Sequence, residues 1–245
     1  IVVVDAEVGF TGGINVSDEY AGLDPNVGHW RDTHVRLRGP AVKGLQLVFL
    51  EDWSFVTKKG VSGPKYFPDQ EAHGREIVQL CASGPDDDWS STEQMLFAAI
   101  TGARDRVRLT TPYFVPNEAV LTALTTAALR GIDVELLVPR KSDSRVVTAA
   151  ARSYYDDLLK AGVRIREYLP GMLHAKTLTV DGQIAFIGTA NLDVRSFHLN
   201  YEVTAVIYGS ETASELDAAF DHDVIFSREI TPDDRTNMPL RLRLF

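Results

Sequence analysis

Cysteine is almost missing from this sequence. Cys81 stands alone in 245 residues, so no disulfide can close within the chain, and a reducing compartment is the simplest setting. Long apolar runs are missing as well. No stretch free of Asp, Glu, Lys and Arg exceeds eleven residues, too short for a helix to cross a bilayer. Residues 1–5 (IVVVD) carry no basic leader, no cleavage-site pattern and no Met, so they read as neither a signal peptide nor the start of a gene product. Positive charge is in deficit: 25 Lys and Arg against 34 Asp and Glu leave a net charge of −9. That balance argues against non-specific nucleic-acid binding, which needs a basic stripe, and against electrostatic docking on anionic membranes without a local basic pocket. What is present is ordinary. An apolar content of 44% with 24% charged residues describes a packed globular protein with enough chain for one large domain or two smaller ones.

From residue 76 onward the pattern alternates between strand and helix. Apolar runs predict strands over 77–81, 107–110, 132–138 and 163–168. Helical spacing covers 92–103, 118–130 and 144–161, with Asn117 as an N-cap and Gly131 and Gly162 as stops. This order predicts an α/β layered fold with a largely parallel sheet. Beyond Pro170 come short strands over 174–180, 184–188 and 201–208, a helix over 211–226 and a polar tail. The first 75 residues carry strand-like segments at 1–4, 8–11 and 34–38 and a helix-like stretch over 40–55. Residues 57–75 are rich in Gly, Pro and charge, the composition of a linker, so a domain boundary is placed there: 1–75 and 76–245.

An internal repeat links the two parts. Shifted by 176 positions, IVVVDAEVGFTGGIN lies over TLTVDGQIAFIGTAN, pairing Asp5 with Asp181, Phe10 with Phe186, Gly12 with Gly188 and Asn15 with Asn191. After an insertion in the first copy, WRDTHVRLRG lies over NYEVTAVIYG, with Asp32 opposite Glu202 and Gly39 opposite Gly209. The chain therefore reads as the end of one lobe followed by a whole second lobe. The second copy is preceded by His174-Ala175-Lys176, so His-x-Lys is expected just upstream of Ile1.

His174 and Lys176 are two apart, and on a strand both side chains would share one face. An imidazole that attacks or moves protons beside a fixed cation suits a phosphodiester, whose non-bridging oxygens gain charge during displacement. Asp181 is an odd seven residues from His174 and opens an Asp-Gly hairpin dipeptide, so a supporting or turn-forming role is expected of it. Gly188 permits close backbone approach, and the Asn191 amide can donate to phosphate.

Residues 174–191, HAKTLTVDGQIAFIGTAN, resemble the HxKx4Dx6GSxN signature of the phospholipase D superfamily, with Thr189 at the usual Ser position. The first copy matches from Asp5 to Asn15, with Gly13 at that position. WRDTHVRLRGPAV, TPYFVPNEAVLTALTTAALRG and GTANLDVRSFHLNYEV further resemble bacterial cardiolipin synthases. The resemblance implies two α/β lobes, each a mixed sheet flanked by helices, with the first lobe incomplete and one His from each lobe at a shared site. It implies that one His attacks phosphorus while the other protonates the leaving alkoxide, the roles then reversing. It implies phosphatidylglycerol as donor and acceptor, cardiolipin and glycerol as products, and no metal or cofactor. The parent would sit at the bacterial cytoplasmic membrane through an N-terminal segment, and no nucleic acid is expected as partner.

By the same resemblance, His174, Lys176, Asp181 and Asp5 are the motif's catalytic residues. Lys176 and Asn191 would hold phosphate, supported by Asn15, Gly188, Gly12 and Thr189. Glu202 would accept from the His174 ring, and Asp32 would serve the histidine of the other lobe. Loop positions make Tyr113, Phe114, Arg140 and Lys141, with Arg195 and His198, candidates for substrate contact. Which His attacks stays open. So do two rival readings, a hydrolytic phospholipase D or phosphodiesterase and a non-catalytic headgroup-binding fragment.

Overall fold

In a computed structural model, residues 1–23 and 29–236 are described. The first part contains β1 (Val2–Val4), β2 (Val8–Gly12), β3 (His29–Arg31), β4 (His34–Arg38) and α1 (Val42–Thr57). After a short 3-10 turn at Pro64–Tyr66 come β5 (Ile77–Ser83), α2 (Ser91–Gly102), β6 (Arg106–Thr110), β7 (Phe114–Val115), α3 (Glu118–Leu129) and β8 (Asp133–Pro139). Then follow α4 (Arg145–Ser153), α5 (Tyr155–Ala161), β9 (Arg164–Tyr168), β10 (Gly171–Leu173), β11 (Thr177–Val180), β12 (Ile184–Gly188), β13 (Leu192–Asp193) and α6 (Val194–His198). The last elements are β14 (Glu202–Tyr208), α7 (Ser210–Ile225), β15 (Ser227–Ile230) and α8 (Pro232–Thr236). The expected polar tail thus begins with a strand and a short helix, and its remainder, 237–245, lies outside the described residues.

Eight strands form one sheet in the order β15-β9-β8-β6-β11-β12-β14-β5. Only β6·β8 and β8·β9 pair in parallel, so the sheet is mixed and not largely parallel. The reason is local. Two helical crossovers join β6, β8 and β9, whereas β11 and β12 close as a hairpin at Asp181-Gly182, and a hairpin can only make antiparallel neighbours. Helices α2, α3 and α5 cover one face, burying Leu96, Ile100, Val120, Leu124 and Leu158 against Leu109, Leu136, Ile165 and Phe186. Helix α7 covers the other face.

The expected helix over 144–161 is two helices, broken at Tyr154. Ser144 caps the first by accepting from the Val147 N–H, and Gly162, at φ 98°, ends the second in the left-handed region. Tyr154 packs edge-on against Phe114 while Tyr155 is buried in the core. Consecutive residues point about 100° apart on a straight helix, so the chain re-aims between the two rings.

The repeat is visible in hydrogen-bond register. Val2 pairs with Phe10 and Val4 with Val8, as Leu178 pairs with Phe186 and Val180 with Ile184. Both hairpins turn through two residues at positive φ, Asp5-Ala6 and Asp181-Gly182, closed by Glu7 N–H to Val4 O and Gln183 N–H to Val180 O, each 3.0 Å. Gly12 lies opposite His34 and Gly188 opposite Thr204, and Gly13 N–H to Thr33 O is matched by Thr189 N–H to Val203 O, both 3.0 Å. The three-stranded β1-β2-β4 sheet packs on β12 and β14 on the α7 side, with Val35 against Ala185, Ile187 and Ile207.

Asp181 stabilises its hairpin from the side. Its carboxylate accepts from the backbone N–H groups of Arg104, Asp105 and Arg106 at 2.9–3.3 Å. Burial pushes its pKa up, but those bonds outweigh burial and hold the carboxyl below its ordinary value. Asp181→Ala should lower the unfolding free energy by about 2 kcal/mol, through orphaned donors and a left-handed alanine. Asp181→Asn, which tolerates that backbone and keeps an acceptor, should lose roughly half as much. Because the folded pKa is depressed, the carboxylate's contribution is complete above its unfolded pKa and fades as pH falls through the folded one. Urea titrations should therefore show the gap between wild type and Asp181→Asn narrowing in acid.

Candidate active site

The His174-Ala175-Lys176 triplet is not part of a strand. It is the irregular link between β10 and β11, anchored on either side by buried Leu173 and Leu178. The two functional side chains nevertheless meet. Lys176 Nζ donates to the His174 carbonyl at 2.8 Å and lies 3.1 Å from each ring nitrogen. Both residues are buried, with 8% of each exposed. The link is held by His174 N–H donating to Arg31 O at 2.7 Å and by Gly188 N–H donating to Lys176 O at 3.2 Å.

The partner of the imidazole corrects the sequence expectation. Asp32, not Glu202, meets the His174 ring, with Oδ2 2.8 Å from Nδ1. Strand β3 pairs in parallel with β10, setting Arg31 beside Leu173, and the next residue along delivers its carboxylate to the imidazole. Glu202 opens β14 instead and accepts from the Thr189 hydroxyl and, at 3.0 Å, from the Asn200 amide. With the ring proton on Nδ1 facing Asp32, Nε2 is left as the acceptor, while the Lys176 ammonium, equally far from both ring nitrogens, is not aligned with its lone pair.

The surrounding glycines are spatial requirements. A Cβ on Gly188 would lie 2.4 Å from Thr204 Oγ1, and one on Gly13 would lie 2.0 Å from Asp32 Oδ1. Gly12, at φ 143°, also faces the Thr33 carbonyl, 2.5 Å from where a Cβ would sit. The Asn191 backbone N–H bonds Ser196 Oγ at 3.1 Å, and its side-chain Oδ1 is buried without a hydrogen-bond partner. Asn15 donates to the Tyr20 hydroxyl at 2.8 Å. Residues of both copies line one open cleft of about 840 Å³: Gly12, Gly13 and Asn15 from the first, and His174, Lys176, Thr189, Asn191 and Glu202 from the second.

Other candidates fall elsewhere. Asp5 and Asp181 occupy the hairpin turns at the far end of their strands from the triplet, so neither carboxylate is brought to the imidazole. Phe114 is a fully buried core residue. The Tyr113 hydroxyl donates to Asp143 at 2.7 Å, and burial together with that carboxylate pushes its pKa well above the ordinary range. Arg140 and Lys141 line a second pocket of about 490 Å³ beside Trp30, Leu169 and Met172. Arg195 is exposed on α6, and His198 faces Glu93 at 3.4 Å. Sequence reasoning missed Trp30 and Tyr20, whose rings stand 5.1 and 5.4 Å from the imidazole. Only their closeness to Asp32 and Asn15 in sequence signals them. No cluster of three or more His, Cys, Asp or Glu suited to a metal occurs among the described residues.

The fold has solved counterparts. A phosphatidylserine synthase from Haemophilus influenzae superposes on 97% of this chain, using 65% of its own, with a TM-score of 0.69 at 13% identity. The phospholipase D family member Nuc from Salmonella typhimurium matches 64% of the chain with 99% of its own, at a TM-score of 0.55 and 21% identity. The architecture is thus that of a phospholipase D-like protein. Residues 96–224 match the family model described as cardiolipin synthase, PLD-like domain, and the chain belongs to that family. A cardiolipin synthase from Geobacillus sp. (strain WCH70) is 46% identical across the whole chain, which covers 49% of that relative. Cardiolipin synthase 2 from Bacillus anthracis is 48% identical over 95% of the chain and 46% of its own length, and the major cardiolipin synthase ClsA of Bacillus subtilis is 42% identical over 100% and 51%. The chain spans about half the length of these curated relatives.

Burial pulls the Lys176 pKa down to about 8, with the carboxylates of Asp32, Glu202 and Asp193 pulling the other way. The side chain is therefore an ammonium below about pH 8 and loses its charge above it. Affinity for tungstate, a tetrahedral oxyanion, should fall by up to about tenfold per pH unit above that point. Lys176→Met should bind weakly and lose this dependence. Calorimetric titration across that range tests both.

Proposed function

We propose that the protein is a phosphatidyltransferase that makes cardiolipin and glycerol from two phosphatidylglycerol molecules through a phosphohistidine. The observation that carries this reading is a buried imidazole with a carboxylate on Nδ1 and an ammonium 3.1 Å from Nε2, in a cleft lined by both copies of a repeat. The names of the 42–48% identical relatives support it. Residues 1–75 are taken as the remainder of a first lobe plus linker, and 76–245 as the second lobe. Ile1 lines the same cleft, which supports an upstream His-x-Lys entering it in the full-length protein.

In this reading one imidazole attacks phosphorus, a P–N bond forms and the P–O bond to the headgroup glycerol breaks. The other imidazole protonates the departing glycerol alkoxide. That second imidazole, now neutral, takes the proton from a hydroxyl of the second phosphatidylglycerol. The alkoxide attacks phosphorus, the P–N bond breaks and cardiolipin is released. Lys176 neutralises the non-bridging oxygens as charge develops, and the Asn191 amide adds a donor. Asp32 holds the His174 tautomer. By the repeat, Glu202, fixed by Thr189 and Asn200, serves the histidine of the first lobe.

The lipid substrates place the work at the bacterial cytoplasmic membrane. No helix among the described residues is long and apolar enough to cross it. Full-length protein incubated with phosphatidylglycerol vesicles should yield cardiolipin and glycerol in equal amounts, read by mass spectrometry. Phosphatidic acid as the main product would replace this reading with hydrolysis. His174→Ala should lower turnover by at least about a thousandfold while leaving vesicle binding intact. Retained turnover in that variant would sink the assignment.

A further inference from the structure

Asp223 sits where a carboxylate is least expected. It is in the last turn of α7, where the helix dipole disfavours negative charge, and its side chain is only 4% exposed. Its partner is Arg31, which grips both oxygens, Nε to Oδ1 at 3.1 Å and Nη2 to Oδ2 at 3.0 Å. A bidentate fork of this kind fixes the guanidinium plane as well as its position.

The third guanidinium nitrogen faces the other way. Arg31 Nη1 donates to the Asp32 carbonyl and, at 3.0 Å, to Thr33 Oγ1. Asp32 and Thr33 are the two irregular residues between β3 and β4, held there by the Gly13 N–H, 3.0 Å from Thr33 O, and by this guanidinium. The Asp32 carboxylate is divided between the Thr33 N–H, 2.8 Å from Oδ1, and the His174 ring, 2.8 Å from Oδ2. The Arg31 carbonyl receives the His174 N–H at 2.7 Å. A single arginine therefore touches the backbone of the histidine, the backbone of its carboxylate partner and a buried anion on a distant helix.

We infer that the buried Arg31–Asp223 ion pair is a positioning device, holding the Asp32-Thr33 link so that the Asp32 carboxylate meets His174 Nδ1. The inference rests on the proposed reading only in taking His174 as the working histidine. Neither Arg31 nor Asp223 touches reacting atoms. They act through Asp32.

The first readout needs no substrate. The His174 Nδ1–H, bonded to Asp32, should give a low-field proton resonance, assigned by its loss in His174→Ala. In Asp223→Asn and Arg31→Lys that resonance should broaden or disappear. In the full-length protein kcat should fall about ten- to a hundredfold with KM within about twofold, the span typical when support of a functional histidine is removed. The double variant should be no worse than the poorer single one. Glu167→Gln, which breaks the Arg152–Glu167 pair of comparable burial, is the control for general destabilisation and should leave the resonance in place. Should Asp223→Asn not fold, Arg31→Lys carries the test alone. An unchanged resonance and kcat in a folded variant would overturn the inference. Absence of cardiolipin from wild type would instead strike the proposed function and leave the resonance arm standing.

Discussion

One hydrogen bond spanning 142 residues of sequence organises the centre of this molecule: the Asp32 carboxylate on the His174 imidazole. An unrestrained imidazole exchanges tautomers and rotates, and either motion changes which ring nitrogen is the acceptor or where it points. The carboxylate prevents both, but only if the backbone bearing it is itself fixed. The parallel pairing of β3 with β10 supplies that restraint from one side. A Cβ on Gly171 would lie 2.1 Å from the His29 carbonyl, so the two strands approach closely because one of them has no side chain there.

The parts legible in the sequence are those set by local chemistry. Asp181-Gly182 announces a hairpin, Asn117 and Gly162 announce helix ends, and the hydrophobic alternation of the two copies announces matching strands. The repeat was readable for the same reason, because equal hairpins impose equal residues. The Asp32–His174 contact was not readable, because it depends on a two-strand ladder between segments about 140 residues apart that share no periodic signal. Aligning the copies invites the assumption that each carboxylate serves its own copy's histidine, and the ladder reverses that for Asp32. The break at Tyr154 was hidden similarly. Helical spacing shows which residues are apolar, not that two adjacent rings must enter different neighbours.

Net charge was a poor guide to the site. A chain at −9 should repel an anion, yet the cleft is lined by Lys176, whose pKa burial lowers only to about 8 because nearby carboxylates offset part of that shift. Some of the other acids are committed locally, although Glu51, Asp52, Asp86 and Asp87 line the cleft itself. Glu135 binds Arg164 and Arg166, Asp217 binds Arg106 and Arg108, and Glu167 binds Arg152. Such pairs act over a few ångströms and leave little field at the cleft, whereas a desolvated ammonium in contact with the imidazole acts at full strength.

The two copies seat a carboxylate with different side chains. In the second copy Thr189 offers a hydroxyl to the longer Glu202; in the first, Gly13 offers empty space and the shorter Asp32 occupies it, its Oδ1 only 2.0 Å from where a Cβ would stand. A hydroxyl at position 13 would force the Asp32 carboxylate off the imidazole, and an Asp at position 202 would fall short of Thr189. Each pair is therefore matched in length, and exchanging one member alone would leave a buried carboxylate misplaced. The two hairpins share one backbone register, while the side chains between them differ in matched pairs, Gly13 with Asp32 and Thr189 with Glu202.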